Sequence, residues 1–203
     1  MQVLNEAQLD AFASDGILLL DNFLPHDIAL SILSEAKEWQ NLETFKKAGI
    51  GKLNQLVIHE EFRKDKIKWI NLKDCKPATK VYADYLAQLM GQLSREFYLS
   101  LKDYESMYAV YPKGAYYKKH RDQFKQQAHR ILTLVLYLNP DWKETDGGEL
   151  VIYKDADSSV VSPIFNRVAL FRSELFHEVL PCKAMRYSIT SWMKDQLNEV
   201  NFL

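Results

Sequence analysis

Cysteine is scarce. Cys75 and Cys182 are the only two in 203 residues, too few for a disulfide framework. No stretch approaches the roughly 18 apolar residues that a membrane helix needs; the longest apolar runs are short, such as ILTLVLYL. The opening MQVLNEAQLD has no basic segment followed by an apolar core, so no signal peptide is expected and the cytoplasm is the default location. A surplus of positive charge is also missing. Lys and Arg total 26 against 27 Asp and Glu, a formal net charge of −1. A protein whose first task is to grip nucleic acid by its phosphates is usually basic, so neither nucleic acid nor a membrane is an expected partner. There is no internal repeat and no low-complexity tract.

What remains is ordinary globular composition, 47% apolar and 26% charged, with a length that suits one domain over 1–203. The first part, to about residue 102, reads as helical support with one strand. Asn5 followed by Gln8 has the form of a capping box, Leu9, Phe12 and Ala13 mark an apolar face, and Gly16 is a stop signal. Ile17–Leu20 reads as a short buried strand, and Asp21 to Pro25 as a break. Ile28, Ala29, Ile32, Leu33, Ala36 and Trp39 then repeat at helical spacing. Residues 42–76 read as a long, partly exposed connection with short strands, a type of loop that is often functional. Pro77 opens a long helix whose face carries Tyr82, Leu86, Leu89, Leu93 and Phe97.

From residue 103 the texture changes to short segments rich in Tyr, Val, Ile, Leu and Thr. Candidate strands are 104–111, 116–120, 130–138, 149–153, 159–163, 167–171, 176–179 and 185–193. Strands without intervening helices predict a mainly β fold, a jelly roll or double-stranded β-helix of the cupin-like barrel type over 103–194, with the N-terminal helices buttressing one sheet. The motif Asp146-Gly147-Gly148-Glu149 reads as a hairpin turn before a strand.

Three features of this half carry chemistry. In His120-Arg121-Asp122, an extended backbone sends the imidazole and the carboxylate to the same side. His177 heads HEVLP late in the barrel. Two histidines and a carboxylate on one face of a metal form the facial triad of non-haem Fe(II) sites, with positions left open. Arg186 lies in MRYSITSWM, where Arg186, Ser188, Thr190 and Trp192 share one strand face. A guanidinium facing into a barrel is costly unless it meets an anion, and a dicarboxylate would supply one through a bidentate contact. Thr133, Val135 and Tyr137 share a face of the preceding strand, so Tyr137 can add a hydroxyl donor. Taken singly, each has an ordinary reading: His120 a surface residue among lysines, His177 a hydrogen-bonded structural histidine, Arg186 half of a salt bridge. Order, spacing and placement together favour the site.

These motifs resemble the 2-oxoglutarate and Fe(II)-dependent dioxygenases, in the prolyl 4-hydroxylase branch that includes the hypoxia-factor prolyl hydroxylases and bacterial relatives. The resemblance runs from about Gly16 to Met193, through GILLLDNFLP, RKDKIKWI, MYAVYPKGAYYKKHRD, HRILTLVLYLNPDW, GGEL, FHEVLP and RYSITSW. It implies that His120, Asp122 and His177 hold Fe(II), and that Arg186 pairs with the distal carboxylate of 2-oxoglutarate, helped by Tyr137 and Thr190. Tyr111 would bond near the cosubstrate's other end. Arg130, Tyr117 and Trp192 would line the side where a target enters, and Arg63, Asp65 and Trp69 would belong to a finger loop. The family has Gly where Lys64 stands, and a turn of positive φ would disfavour Lys. The implied reaction consumes O2 and 2-oxoglutarate, releases succinate and CO2, and admits ascorbate as an accessory reductant. The implied target is a prolyl residue of an intracellular protein, with a translation elongation factor as the specific candidate from the bacterial relatives. The alternatives are hydroxylation of a free amino acid or other small molecule, and a non-catalytic barrel that binds metal or ligand.

Other candidates have less behind them. His26, His59 and His129 have no partner spacing. Cys182 reads as a buried inert thiol rather than a soft ligand. Lys118 to Arg121 reads as a solvated rim able to steer an acidic target.

Overall fold

Local signals set the N-terminal elements of the computed structural model, which describes residues 3–48, 61–123 and 128–197. The Asn5 side chain accepts from Gln8 N, and the Gln8 side chain accepts from Asn5 N, so the expected capping box starts α1 (Glu6–Asp15). Gly16 ends it at φ +66°, a left-handed cap that a residue with Cβ resists. Strand β1 (Ile17–Leu20) follows, then α2 (His26–Asn41), which buries Ala29, Ile32, Leu33 and Ala36. Helix α3 (Pro77–Glu96) has Pro at its first turn and buries Tyr82, Leu86, Leu89 and Leu93, the expected face. Its cap comes from another element. The Glu35 carboxylate on α2 accepts from Ala78 N at 2.8 Å and Thr79 N at 3.0 Å. An anion there satisfies free N–H groups and opposes the helix dipole. Of the connection 42–76, β2 (Lys46–Lys47) and β3 (Lys66–Trp69) are the expected short strands; residues 49–60, His59 among them, lie outside the described residues.

The strand-rich half supplies β4 (Asp103–Tyr111), β5 (Tyr117–His120), β6 (Arg130–Tyr137), β7 (Leu150–Lys154), β8 (Asp157–Val161), β9 (Val168–Arg172), β10 (Phe176–Val179) and β11 (Arg186–Lys194). They form two antiparallel sheets, β1-β9-β6-β11-β4-β3-β2 and β5-β10-β7-β8. Among the described residues no closed ladder joins them, so the expected barrel is an open roll of two layers, the jelly-roll arrangement with free sheet edges. A local cross-link exists where Arg63 bridges Tyr117, so the segment leading into β3 touches the smaller sheet before it joins the larger one. The glycine pair is not a hairpin turn. After a short 3-10 turn at Glu144–Asp146, Gly147 and Gly148 carry the chain from β6 in one sheet to β7 in the other.

Strand alternation divides the core. On β6, Leu132, Leu134 and Leu136 pack toward the helices with Ile32, Leu86 and Leu89. Val135 and Tyr137 face the other way, into a second core with Tyr111, Leu150, Ile152, Phe171 and Val179. The helices therefore seal one face of the large sheet and leave its inner face to the cavity between the sheets. The lead-in to α2 is tied to the roll by Asn166, whose side chain accepts from Leu24 N and donates to Leu24 O at 2.7 Å. Asn166 also sits at φ +59°, a region that Asn tolerates better than most residues. We expect Asn166→Ala to lower stability by about 2–4 kcal/mol, because two buried backbone groups lose their partners and the left-handed residue gains strain. Urea unfolding checks this, and an unchanged midpoint would refute it.

Candidate active site between the sheets

Pairing of β10 with β5 sets His177 opposite His120, and the backbone then delivers Asp122 two residues beyond the end of β5. The alternation expected from the sequence holds. Ligand atoms of His120, Asp122 and His177 all lie within 4.8 Å of one another. His177 Nε2 is 3.4 Å from Asp122 Oδ2, and His120 Nε2 is 3.8 Å from Oδ1. Both rings are oriented from behind by main-chain carbonyls: His120 Nδ1 meets Lys118 O at 2.7 Å and His177 Nδ1 meets Leu175 O at 3.0 Å. A carbonyl only accepts, so each Nδ1 carries a proton and each Nε2 is the ring atom turned toward the carboxylate.

The local electrostatics suit a cation. Burial and the neighbouring His177 push His120 down to about 3, so it is neutral at physiological pH. Burial favours protonation of Asp122, but the adjoining imidazoles outweigh it and hold the carboxyl well below its usual range. Burial likewise opposes charge on His177, yet Asp122 raises its pKa. Asp122 Oδ2 also accepts from Thr133 Oγ1 at 2.9 Å, and that hydroxyl lies 2.8 Å from Ser173 Oγ. A buried cluster of two nitrogen donors and one oriented carboxylate fits a divalent transition metal.

The same cavity, about 400 Å³ with part of it open, runs from this cluster to Arg186. Arg186 is 3% exposed, and no acidic partner meets it among the described residues. Its Nη1 donates to Ser188 Oγ at 3.2 Å, whereas Nε has no partner. The guanidinium lies over the Tyr111 and Tyr137 rings, at 4.7 and 5.0 Å from their centroids. It acts electrostatically on the Tyr137 phenol, yet no hydrogen bond of good geometry joins them, and that hydroxyl is also buried without a partner. Burial pushes Tyr137 up to about 12 and Tyr111 well above its ordinary value, so both stay protonated donors. A buried guanidinium without an acidic partner, beside the unused Tyr137 hydroxyl, is a costly arrangement that an anion would relieve. Gly148 makes room for it: a Cβ there would lie 2.7 Å from Cys182 Sγ and 3.0 Å from Arg186 Cδ.

The other expected residues take distinct places. Thr190, Tyr117, Trp192 and Arg63 line the cavity. Tyr117 stacks on His120 with centroids 3.5 Å apart, and Arg63 covers the far face of that tyrosine at 4.1 Å. Asp65 stands behind, bonding Arg63 at 2.8 and 2.6 Å. Lys64 between them does not take positive φ, so the departure from glycine costs this backbone nothing. Arg130 is set back from the wall, 3.8 Å over the Trp192 ring and bonded to Glu105. Trp69, 47% exposed, tilts against the same indole at 5.8 Å. Sequence reasoning passed over Thr133, Ser173, Ser188 and Glu105. Thr133 and Ser188 lay on the faces already identified as inward, so alternation could have found them; Ser173 and Glu105 act through contacts distant in sequence. Cys182 is buried outside the metal-binding cluster, as expected.

Comparison with known proteins is consistent with this geometry. Residues 106–194 match the profile of the 2OG-Fe(II) oxygenase superfamily. Prolyl hydroxylase EGLN3 of Homo sapiens is 30% identical over 190 residues, an alignment covering 89% of this chain and 79% of the relative. A Pseudomonas putida prolyl-4-hydroxylase superposes with a TM-score of 0.84 at 31% identity, over 94% of this chain and 98% of that one. A prolyl hydroxylase from Trichoplax adhaerens, solved with a hypoxia inducible factor oxygen degradation domain peptide, gives 0.84 at 28% identity, over 93% of this chain and 87% of that one.

Two outcomes follow from the site's surroundings. Thr133→Val should weaken Mn(II) or Co(II) binding by about 10–100-fold, the usual effect of removing a group that orients a ligand; equal affinity by calorimetry would mean that Asp122 needs no such support. Burial pushes the Cys182 thiol up to about 11, so iodoacetamide at about pH 8 should label Cys75 and spare Cys182 until the protein unfolds. Peptide mass spectrometry reads both sites, and early labelling of Cys182 would contradict its burial.

Proposed function

This chain belongs to the 2OG-Fe(II) oxygenase superfamily, in its prolyl hydroxylase branch, and from that premise we propose that it hydroxylates a prolyl residue on a loop of an intracellular protein. The observation that carries this reading is the buried Arg186, without an acidic partner, in the same cavity as the His120, Asp122 and His177 cluster.

In this reading His120 Nε2, His177 Nε2 and one Asp122 oxygen hold Fe(II). Bound iron supplies the O2-dependent oxidation in which 2-oxoglutarate gives succinate and CO2 and the target gains a hydroxyl. The chain's own contribution is placement. Arg186 takes the distal carboxylate of 2-oxoglutarate, with Tyr137 donating its proton-bearing hydroxyl and Thr190 completing the wall. Tyr111 donates nearer the reacting end. Val135, Leu150 and Val179 line the cavity and keep bulk water from the reacting centre. No side chain is required as nucleophile or general base, so Asp122 serves as a ligand and remains ionised throughout. Thr133 and the two main-chain carbonyls fix the ligand set before any cosubstrate arrives.

Tyr117, Trp192, Arg63 and the Arg130 that backs Trp192 form the target side. Their aromatic surface suits a pyrrolidine ring and its flanking backbone. A translation elongation factor is the specific candidate we propose, with a cytoplasmic location to match. Its support is the resemblance to bacterial prolyl 4-hydroxylases.

Mass spectrometry of cells with and without the enzyme tests the target class: a single added oxygen on proline should disappear with the gene, and its appearance only on small molecules would sink the proposal. Asp122→Ala should abolish 2-oxoglutarate turnover by removing the one anionic ligand; normal succinate release from that variant would refute the ligand assignment. Arg186→Ala should weaken 2-oxoglutarate binding by about 2–5 kcal/mol, the cost of truncating one partner of a buried charge pair. Unchanged affinity in a binding titration would place the anion elsewhere.

A further inference from the structure

The two sheets differ in how their outer faces are covered. Helices α2 and α3 seal the large sheet, whereas the small sheet's outer face lies open among the described residues. Because His177 and Ile152 point inward, Phe176 on β10 and Tyr153 on β7 point out, paired across the strands. Val161 is buried inward on β8, so Val160 points out. Phe176 is 44% exposed and Val160 62% exposed, unusual for apolar residues within strands. Two cations lie over this apolar strip. Lys119 Nζ is 3.5 Å from the Tyr153 ring centroid and 5.5 Å from that of Phe176, and the Arg121 guanidinium is 4.7 Å from the Phe176 ring. Lys118, the residue before Lys119 in the chain, is exposed as well.

None of these three cations has an acidic partner among the described residues. Glu178, on the same face, is engaged by the Tyr153 hydroxyl, and Glu174 is exposed in the turn before β10. The chain as a whole carries a net charge of −1, so the basic character here is local. Stacking on rings restrains Lys119 and Arg121 in advance and leaves their N–H groups free, which lowers the ordering cost of meeting an anion. The ridge also sits beside the metal-binding cluster in the chain: Arg121 lies between His120 and Asp122, and Phe176 precedes His177.

We propose that this outer face docks an acidic segment of the protein target, its carboxylates on Lys118, Lys119 and Arg121 and its apolar side chains over Phe176 and Val160. The proposal rests on the reading that the target is a protein. It explains why cations are placed over exposed rings at the edge of the site, where a small-molecule substrate would not reach them.

The test uses the full chain and fluorescein-labelled oligo-glutamate of about ten residues, with oligo-glutamine of equal length as the uncharged control, read by anisotropy. The wild type should bind oligo-glutamate and not oligo-glutamine, and binding should weaken between roughly 50 and 300 mM salt as screening grows. Lys119→Glu with Arg121→Glu should weaken it by about tenfold or more, whereas the same charge change in Lys80→Glu with Lys102→Glu, both exposed and outside this face, should leave most of it. Equal binding of the two probes, or equal loss in the two double variants, overturns the proposal. A dimer in sedimentation that Lys119→Glu with Arg121→Glu dissolves would assign the face to a second copy and overturn it as well. Anisotropy needs neither turnover nor proline. Binding without any prolyl product would therefore sink the prolyl reading and keep the docking face, and the converse result would do the reverse.

Discussion

A carboxylate sealed between two imidazoles is the constraint around which this molecule is arranged. Asp122 is buried and ionised, and His120, His177 and the Thr133 hydroxyl face it closely. That arrangement is stable only if both rings keep their Nε2 atoms turned inward, and main-chain carbonyls at Lys118 and Leu175 enforce this. Those carbonyls are placed by the pairing of β5 with β10, a short ladder with an irregularity between His177 and Val179. The small sheet therefore carries both histidines of the cluster, while the large sheet carries the buried Arg186 on β11 and Tyr111 on β4.

The two ends of the cavity show the same logic with opposite charge. At one end a buried anion waits between two imidazoles. At the other, a buried cation waits among phenols and a serine. Each is costly alone, and each becomes favourable when a group of the other sign arrives. Stability given up at both ends is recovered elsewhere, chiefly in the packing of α2 and α3 against Leu132, Leu134, Leu136, Leu170 and Ile189.

Much of this was legible in the sequence because it depends on local periodicity. Asn5, Gln8 and Gly16 bound α1 through contacts within four residues, and alternation along β6 and β11 placed Thr133, Val135, Tyr137, Arg186 and Thr190 on inner faces. What was not legible depends on approaches between distant segments. Glu35 caps α3 across 43 residues, and no local pattern announces it. The Gly147-Gly148 pair looks like a hairpin turn by composition, but its purpose is close passage: a Cβ on Gly147 would fall 2.5 Å from Pro181 O. Whether the roll closes depends on edge pairing that no strand encodes by itself. Lys64 was the reverse case, where a comparison with glycine suggested strain and the backbone avoids it.

Gly148 has one more effect. With no side chain at that position, Cys182 and Arg186 occupy space close to the backbone that a Cβ would contest. The place of that arginine in the cavity thus depends on a hydrogen standing where every other residue type carries a carbon.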